Sequence, residues 1–185
     1  MENTKTLAQI IEELQNRFYL ETNVKVKENQ SYITIEKNKA VSLITHLRDI
    51  DKFVHLAFLT AIDYIEQGNL KLLYMLHNYE SNLDLGIYVV LPRKGAEMES
   101  IHHLWEQART YQQELREMFG IDFPNSPGVD DPFILESWGN NPPPMLKDFD
   151  TKKYSEETFY PREGRSTKDP RKHMQEKLYP EDESV

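Results

Sequence analysis

Cysteine is absent from this chain of 185 residues. Its absence excludes disulfides, thiolate nucleophiles and any zinc or iron–sulfur site built from cysteine ligands. Glycine is also scarce, with seven residues, and none of the glycine-rich loops that cradle nucleotide phosphates occurs. The six histidines are scattered, and the adjacent pair His102 and His103 would point about 100° apart on a helix. We therefore expect no cofactor and no metal on this chain.

The chain also lacks a long hydrophobic run and an excess of positive charge. No window approaches the roughly twenty apolar residues that a membrane-spanning helix needs, and the start of the chain does not resemble a secretory signal. The net charge of −9 disfavours a nucleic-acid surface, because phosphate binding depends on clustered lysine and arginine. These features predict a cytoplasmic protein with no nucleic-acid partner and no direct membrane insertion.

Hydrophobic periodicity predicts the first elements of the chain. From Leu7 to Phe18 the apolar residues follow one helical stripe. Period-two alternation on both sides of the polar turn 28–30 indicates a β-hairpin. A second helix follows, with a buried stripe from Ala40 to Leu47. Three apolar runs with short links then predict neighbouring antiparallel strands, at residues 54–64, 70–76 and 85–91.

A third helix is predicted after these strands. Ser100 is its expected N-cap, and Gly120 stands where a left-handed residue would end it. The order of the elements predicts an α+β domain over residues 1–123, with a mainly antiparallel sheet and helices packed on one face.

The last third of the chain differs from the rest in amino-acid composition. Nine of the ten prolines lie beyond Phe123. Such a segment buries too little apolar surface to fold alone. Aromatic residues nevertheless recur along it, at Phe133, Trp138, Phe149, Tyr154, Phe159, Tyr160 and Tyr179. Residues 124–185 are therefore interpreted as an extended C-terminal arm that contacts a partner. The alternative is a loop that folds back over its own domain or stays disordered.

Three carboxylates are candidates for chemistry or docking. Glu114 and Glu117 lie three residues apart on the third helix and share one flank, as in acid/base pairs and in ordinary solvated helix faces. Asp63 falls inside a run that otherwise looks buried, and a buried carboxylate needs partners. It is either a strand-end residue at the sheet edge or a residue with a structural or interface role.

Several stretches of the sequence, read in chain order, resemble one protein family. They are residues 59–64 (Leu-Thr-Ala-Ile-Asp-Tyr), 73–76, 100–101, Trp105, Ala108, 114–123 (Glu-Leu-Arg-Glu-Met-Phe-Gly-Ile-Asp-Phe) and 142–149. The family is the thirty-kilodalton subunit, also called the C subunit, of respiratory NADH dehydrogenase (complex I), with related subunits of membrane-bound nickel–iron hydrogenases. The family's helix-end pattern usually begins Glu-Arg-Glu, where this chain has Gln112-Gln113-Glu114. The double proline at 142–143 is more similar to the hydrogenase-type branch.

The resemblance implies a subunit without a redox cofactor of its own. Members pack against the large subunit of the soluble arm, next to other soluble-arm subunits, and reach membrane subunits only through the complex. Iron–sulfur clusters and nickel–iron or quinone sites would lie in partner subunits. The implied location is peripheral, on the inner face of the cell membrane. The implied function is a structural one that supports electron transfer coupled to ion translocation.

The resemblance also implies a set of interface residues. Asp63 is a candidate interface residue, and Glu114 and Glu117 would pair with basic groups of the large subunit. Phe119 and Gly120 would allow close packing where the chain turns into its arm. Along the arm, the candidates are the charged residues Lys147 and Asp148 and the aromatic anchors Phe149, Tyr154, Phe159 and Tyr160.

Two other functions remain open from the residues themselves. As an enzyme, the chain would bring Asp63, Glu114 and Glu117 together in a cleft for general acid/base chemistry. As a free-standing adaptor, it would use its C-terminal arm to fold on binding partners. We expect no catalytic residue on this chain.

Overall fold

The computed structural model describes residues 5–160 and 169–178. The chain forms two compact units, Met1–Lys147 and Asp148–Val185, and each is described by itself. The described part of the first unit contains three α-helices, five strands and one short 3-10 helix, Ile65–Gln67. In chain order the α-helices and strands are α1 (Leu7–Phe18), β1 (Thr22–Lys27), β2 (Gln30–Ile35), α2 (Lys37–Asp49), β3 (His55–Tyr64), β4 (Asn69–Asn78), β5 (Leu83–Pro92) and α3 (Ala108–Phe119).

The five strands form one sheet in the order β1-β2-β5-β4-β3. The β1–β2, β3–β4 and β4–β5 pairs are antiparallel. The β2–β5 pair is parallel, so the sheet is mixed: three of its four pairs are antiparallel, in line with the expected mainly antiparallel sheet, and one is not. Strand periodicity is a local property, whereas the direction of two strands separated by a helix and a hairpin depends on how the chain crosses over.

One face of the sheet is buried beneath the helices. Residues directly opposite each other across the strands, such as Ala61, Leu72, Val89 and Ile35, are all buried on that face. The apolar stripes of α1 and α2 belong to the same hydrophobic core. The sequence predicted an α+β domain, and the structure confirms that class.

The start of α1 and the end of α3 have identifiable caps. Thr6 and Gln9 form a reciprocal capping box at the start of α1, which satisfies two backbone N–H groups that the helix leaves free. Gly120 ends α3 in the left-handed region, with φ of 72°, and donates its N–H to the carbonyl of Arg116. The left-handed cap predicted at Gly120 is therefore confirmed.

The third helix begins later than predicted. Residues 101–107 form turns, and α3 starts only at Ala108. The Ser100 hydroxyl accepts the N–H of His102 in a local turn and caps no helix there. Trp105 and Gln107 use their side chains to donate to the backbone carbonyls of Val54 and Leu56. These bonds need the segment to run beside the start of β3, which explains why the apolar stripe before Ala108 is not helical.

The segment after α3 remains part of the first unit as far as Lys147. It has no helix or strand, and turns dominate it. Its backbone bonds back to α3, for example where the N–H of Met145 donates to the carbonyl of Met118 at 3.0 Å. Residues 124–147 therefore fold over the body of their own chain.

The second unit contains two short helices among its described residues, α4 (Thr151–Phe159) and α5 (Pro170–Leu178). Asp150 caps α4 by accepting the N–H of Lys153. Neither helix has a buried residue. Tyr179, one of the recurring aromatic residues, lies outside the described part of the chain. No helix within 5–160 or 169–178 is long and apolar enough to cross a membrane.

Candidate partner-docking surface

Asp63 is a buried carboxylate that accepts hydrogen bonds from two distant segments. It lies on β3 with a relative exposure of 4%. Arg93, just past β5, reaches its two oxygens at 2.9 Å and 3.1 Å in a bidentate pair. The backbone N–H of Lys147 donates to Asp63 Oδ2 at 2.8 Å. The expectation that this carboxylate needs partners is confirmed, and both of these partners belong to its own chain.

Glu117 fixes the loop that follows α3. One of its oxygens accepts the N–H of Phe133 at 2.8 Å, and the other accepts those of Ile134 and Leu135 at 2.9 Å and 3.2 Å. Hydrogen bonds to a charged acceptor are stronger than neutral ones. The structure thus gives Glu117 a role inside the chain.

Glu114 differs from Glu117 although the two residues share a flank of α3. It is exposed, and no hydrogen bond or ion pair to it occurs among the described residues. The two carboxylates therefore have unequal surroundings. Glu114 is available to a partner, and its interface role stays a prediction.

Close packing occurs where the chain leaves α3. A Cβ atom added to Gly120 would lie 3.0 Å from Cγ of Pro143. Phe119, next to it, is partly buried against the core. The close approach expected at these two residues thus involves the chain's own Pro143, one of the double prolines. Lys147 lies farther along, with its ammonium 3.6 Å from the Glu66 carboxylate.

The remaining candidate residues belong to the second unit. Asp148 precedes a small aromatic group in which the rings of Phe149 and Tyr154 have centroids 5.7 Å apart. The rings of Tyr154 and Phe159 are 6.0 Å apart. Phe159 is 52% exposed, and Tyr160 follows it at the end of α4. Their role as anchors on a partner stays a prediction.

Sequence reasoning missed a buried polar group centred on Gln112. This side chain is fully buried, and the hydroxyls of Ser100 and Ser126 each donate to its Oε1 at 2.7 Å. The group ties the segments before and after α3 to the helix. A signal existed, since Gln112 lies four residues after Ala108 and three before Leu115, on the buried stripe of α3.

The described residues form no cluster that could hold a metal, and Asp63 and Glu117 bind different segments of the chain. Within 5–160 and 169–178, no group of three or more histidine, aspartate or glutamate side chains is placed to hold a metal ion. Asp63 is bound to Arg93 and Lys147, whereas Glu117 is bound to the loop at 133–135. Each of these carboxylates serves a separate contact between chain segments.

The fold defines a class of protein: an α+β domain with a mixed sheet, in which a proline-rich segment packs across α3. The family model for the "Respiratory-chain NADH dehydrogenase, 30 Kd subunit" matches residues 33–155, more than half of the chain. The chain belongs to this family, as the resemblance of its motifs predicted.

Relatives agree with this assignment, and a solved structure shares the fold. The C subunit of the F(420)H(2) dehydrogenase of Methanosarcina mazei is 28% identical over 116 residues, 63% of this chain and 73% of that protein. The C subunit of the NADH-quinone oxidoreductase of Moorella thermoacetica is 27% identical over 139 residues, 75% of this chain and 92% of that protein. A chain of the membrane-bound sulfane sulfur reductase, an archaeal respiratory membrane complex, has a TM-score of 0.74 at 20% identity. That likeness covers 88% of this chain and 96% of the other, and it shows the fold.

Proposed function

We propose that this chain is a structural subunit of the soluble arm of a complex I-like, membrane-bound oxidoreductase. It docks on the large subunit and supports electron transfer coupled to ion translocation. Family membership supports this function, because two relatives are named as the C subunits of a dehydrogenase and of an oxidoreductase. In this proposal, iron–sulfur clusters and the quinone or nickel–iron site belong to partner subunits. The chain itself lies in the cytoplasm, on the inner face of the membrane.

The docking surface that we propose is the segment after α3. Its backbone is fixed at two points, since the N–H of Ile134 donates to Glu117 and that of Met145 donates to Met118. Their side chains are nevertheless exposed, at 64% for Ile134 and 56% for Met145. A fixed backbone that presents apolar side chains to solvent loses little entropy on binding, which favours tight association. This observation carries the proposal.

An exposed carboxylate of the first unit and the helix α4 of the second unit are further candidate contacts with the large subunit. Glu114 is exposed on α3 and would pair with a basic group of the large subunit. The helix α4 has no fully buried residue, so its aromatic side chains Tyr154 and Phe159 would bury further apolar area on a partner. The mechanism is therefore mechanical and electrostatic: the subunit holds its neighbours in position.

The surface is tested by substituting its exposed apolar residues in the tagged full chain. We expect the Ile134→Ser, Met145→Ser double variant to retain much less of the large partner after a salt wash than the unsubstituted chain does. Ile50→Ser is the matched control, because Ile50 is similarly exposed, at 61%, but lies at the end of α2. Equal retention by the double variant and the control would contradict the proposed surface.

A further inference from the structure

A cavity of about 430 Å³ lies between the end of α3 and the segment that folds back over it. Arg116 and Glu117 contribute from the helix, and Trp138 contributes an aromatic wall from the segment. The volume falls in the range of small-ligand pockets and is large enough to receive a long side chain. Part of the cavity wall is formed by the segment after α3, which is the proposed docking segment.

Negative charge dominates the cavity wall. Four carboxylates line it, from Glu117, Asp130, Asp131 and Glu136, and Arg116 is the single cation. Glu117 is occupied by the three N–H groups of the loop, and Arg116 pairs with Asp130 at 3.1 Å. The carboxylates of Asp131 and Glu136 have no ion pair among the described residues. The Arg109 guanidinium approaches Asp131 from outside the cavity, since both groups lie near the Cβ position at Gly128. The lining itself therefore has a net negative charge, with four carboxylates against one guanidinium.

The aromatic wall has a fixed orientation. The indole N–H of Trp138 donates to the carbonyl of Pro142 at 3.1 Å, which fixes the ring against its own segment. A tryptophan ring beside carboxylates is a favourable environment for a cation, because the ring quadrupole and the carboxylates both attract positive charge. A planar guanidinium fits better than an ammonium, since it stacks on the ring and offers a fork of donors to carboxylates.

We propose that this cavity receives the guanidinium group of an arginine on a partner subunit. The proposal rests on the docking function given above and names the chemistry of one contact within it. A divalent metal is a poorer occupant, because the described carboxylates form no group that could hold one. The acidic balance of the chain, with 31 Asp and Glu against 22 Lys and Arg, is consistent with a basic partner.

The test uses the full chain labelled with ¹⁵N and observed by NMR. The probe is acetyl-arginine amide, and acetyl-citrulline amide is the matched uncharged analogue. We expect arginine amide to shift the Trp138 indole and Gly139 amide signals in a saturable way, with the Trp105 indole unchanged. Citrulline amide should cause no saturable shift, since it keeps the shape but loses the charge.

Two variants make the result specific. Asp131→Asn with Glu136→Gln should weaken arginine binding about fivefold, because two carboxylates near the ligand become neutral. Glu12→Gln with Glu80→Gln is the matched control: it removes two charges from exposed sites outside the cavity and outside the proposed docking surface, and should leave binding unchanged. Equal binding of citrulline, or equal weakening in the control, would overturn the proposal.

The outcome separates this proposal from the docking function. If the chain co-purifies with a large partner but its Trp138 signals do not respond to arginine, only the cavity proposal fails. If the signals respond while the chain co-purifies with no partner, the docking function is contradicted. The arginine that the cavity binds would then not come from a partner subunit.

Discussion

Asp63 and Lys147 lie 84 positions apart, and the backbone N–H of Lys147 donates to the Asp63 carboxylate at 2.8 Å. The same carboxylate forms the bidentate pair with Arg93. One side chain therefore connects β3, the residue that follows β5, and the end of the segment after α3. This connection holds the proposed docking segment in place at the point where the first unit ends.

Substitution of Asp63 by Asn should destabilise the protein strongly. The change removes the carboxylate charge that faces the partly buried Arg93, and it weakens the bond to Lys147. We expect a loss of roughly 3 kcal/mol in the free energy of unfolding, measured by urea titration. Glu28→Gln is the control, because its pair with Lys25 is exposed and should contribute less than about 1 kcal/mol. Similar losses in both variants would show that Asp63 does not connect these segments.

Gly120→Ala should cost more stability than Gly68→Ala. Both glycines have positive φ, of 72° and 67°, so an added Cβ strains both backbones by about 1 kcal/mol. Only Gly120 has a close neighbour, with Pro143 at 3.0 Å, whereas nothing lies within 4 Å of the Cβ position at Gly68. Urea unfolding of the two variants isolates the contact with Pro143. If their stabilities are equal, that contact contributes nothing.

Tyr74→Phe should stabilise the protein slightly. The Tyr74 hydroxyl is fully buried and has no hydrogen-bond partner among the described residues. Removal of an unsatisfied buried group should increase the free energy of unfolding by about 1 kcal/mol. The control Tyr111→Phe removes a hydroxyl that donates to the carbonyl of Ala57, and it should be destabilising. A loss of stability in Tyr74→Phe would indicate that the hydroxyl is satisfied in solution.

Tyr74 should also influence stability at alkaline pH. Burial, with a smaller effect of the Glu99 charge, raises the pKa of Tyr74 above its ordinary value of 10.0. Above that pH the unfolded chain loses the phenolic proton while the folded chain keeps it, so stability falls as pH rises. Tyr74→Phe should therefore show a smaller decline in unfolding free energy above about pH 10 than the unsubstituted chain. Parallel pH profiles would refute this.

Local features of the fold could be predicted from the sequence, whereas contacts between distant segments could not. The helix α1 and the cap at Gly120 follow from spacing and residue type within a few positions. The parallel β2–β5 pair depends on a crossover, and the late start of α3 depends on Trp105 bonding to the backbone beside β3. Neither the parallel pairing nor the late start of α3 produces a pattern in the neighbouring residues of the sequence.

The same distinction between local features and distant contacts applies to the candidate site. The sequence identified Asp63 as a carboxylate that needs partners, because it stands in an apolar run. It could not identify Arg93 as that partner, since the pairing requires β3 and β5 to lie on either side of β4 in the sheet. The bonds between Glu117 and the loop at 133–135 form only if the chain turns back toward α3. The proline and turn residues of this segment do not determine that direction.

Isolation of the native complex through a tag on this chain is the most direct test of its function. The partners are identified by mass spectrometry, and the iron and nickel contents of the complex are measured. The docking proposal predicts a large subunit at fixed stoichiometry, together with iron–sulfur and membrane subunits; nickel would indicate the hydrogenase-type branch. Recovery of the chain alone, as a metal-free monomer, would contradict a docking subunit and favour a free-standing adaptor.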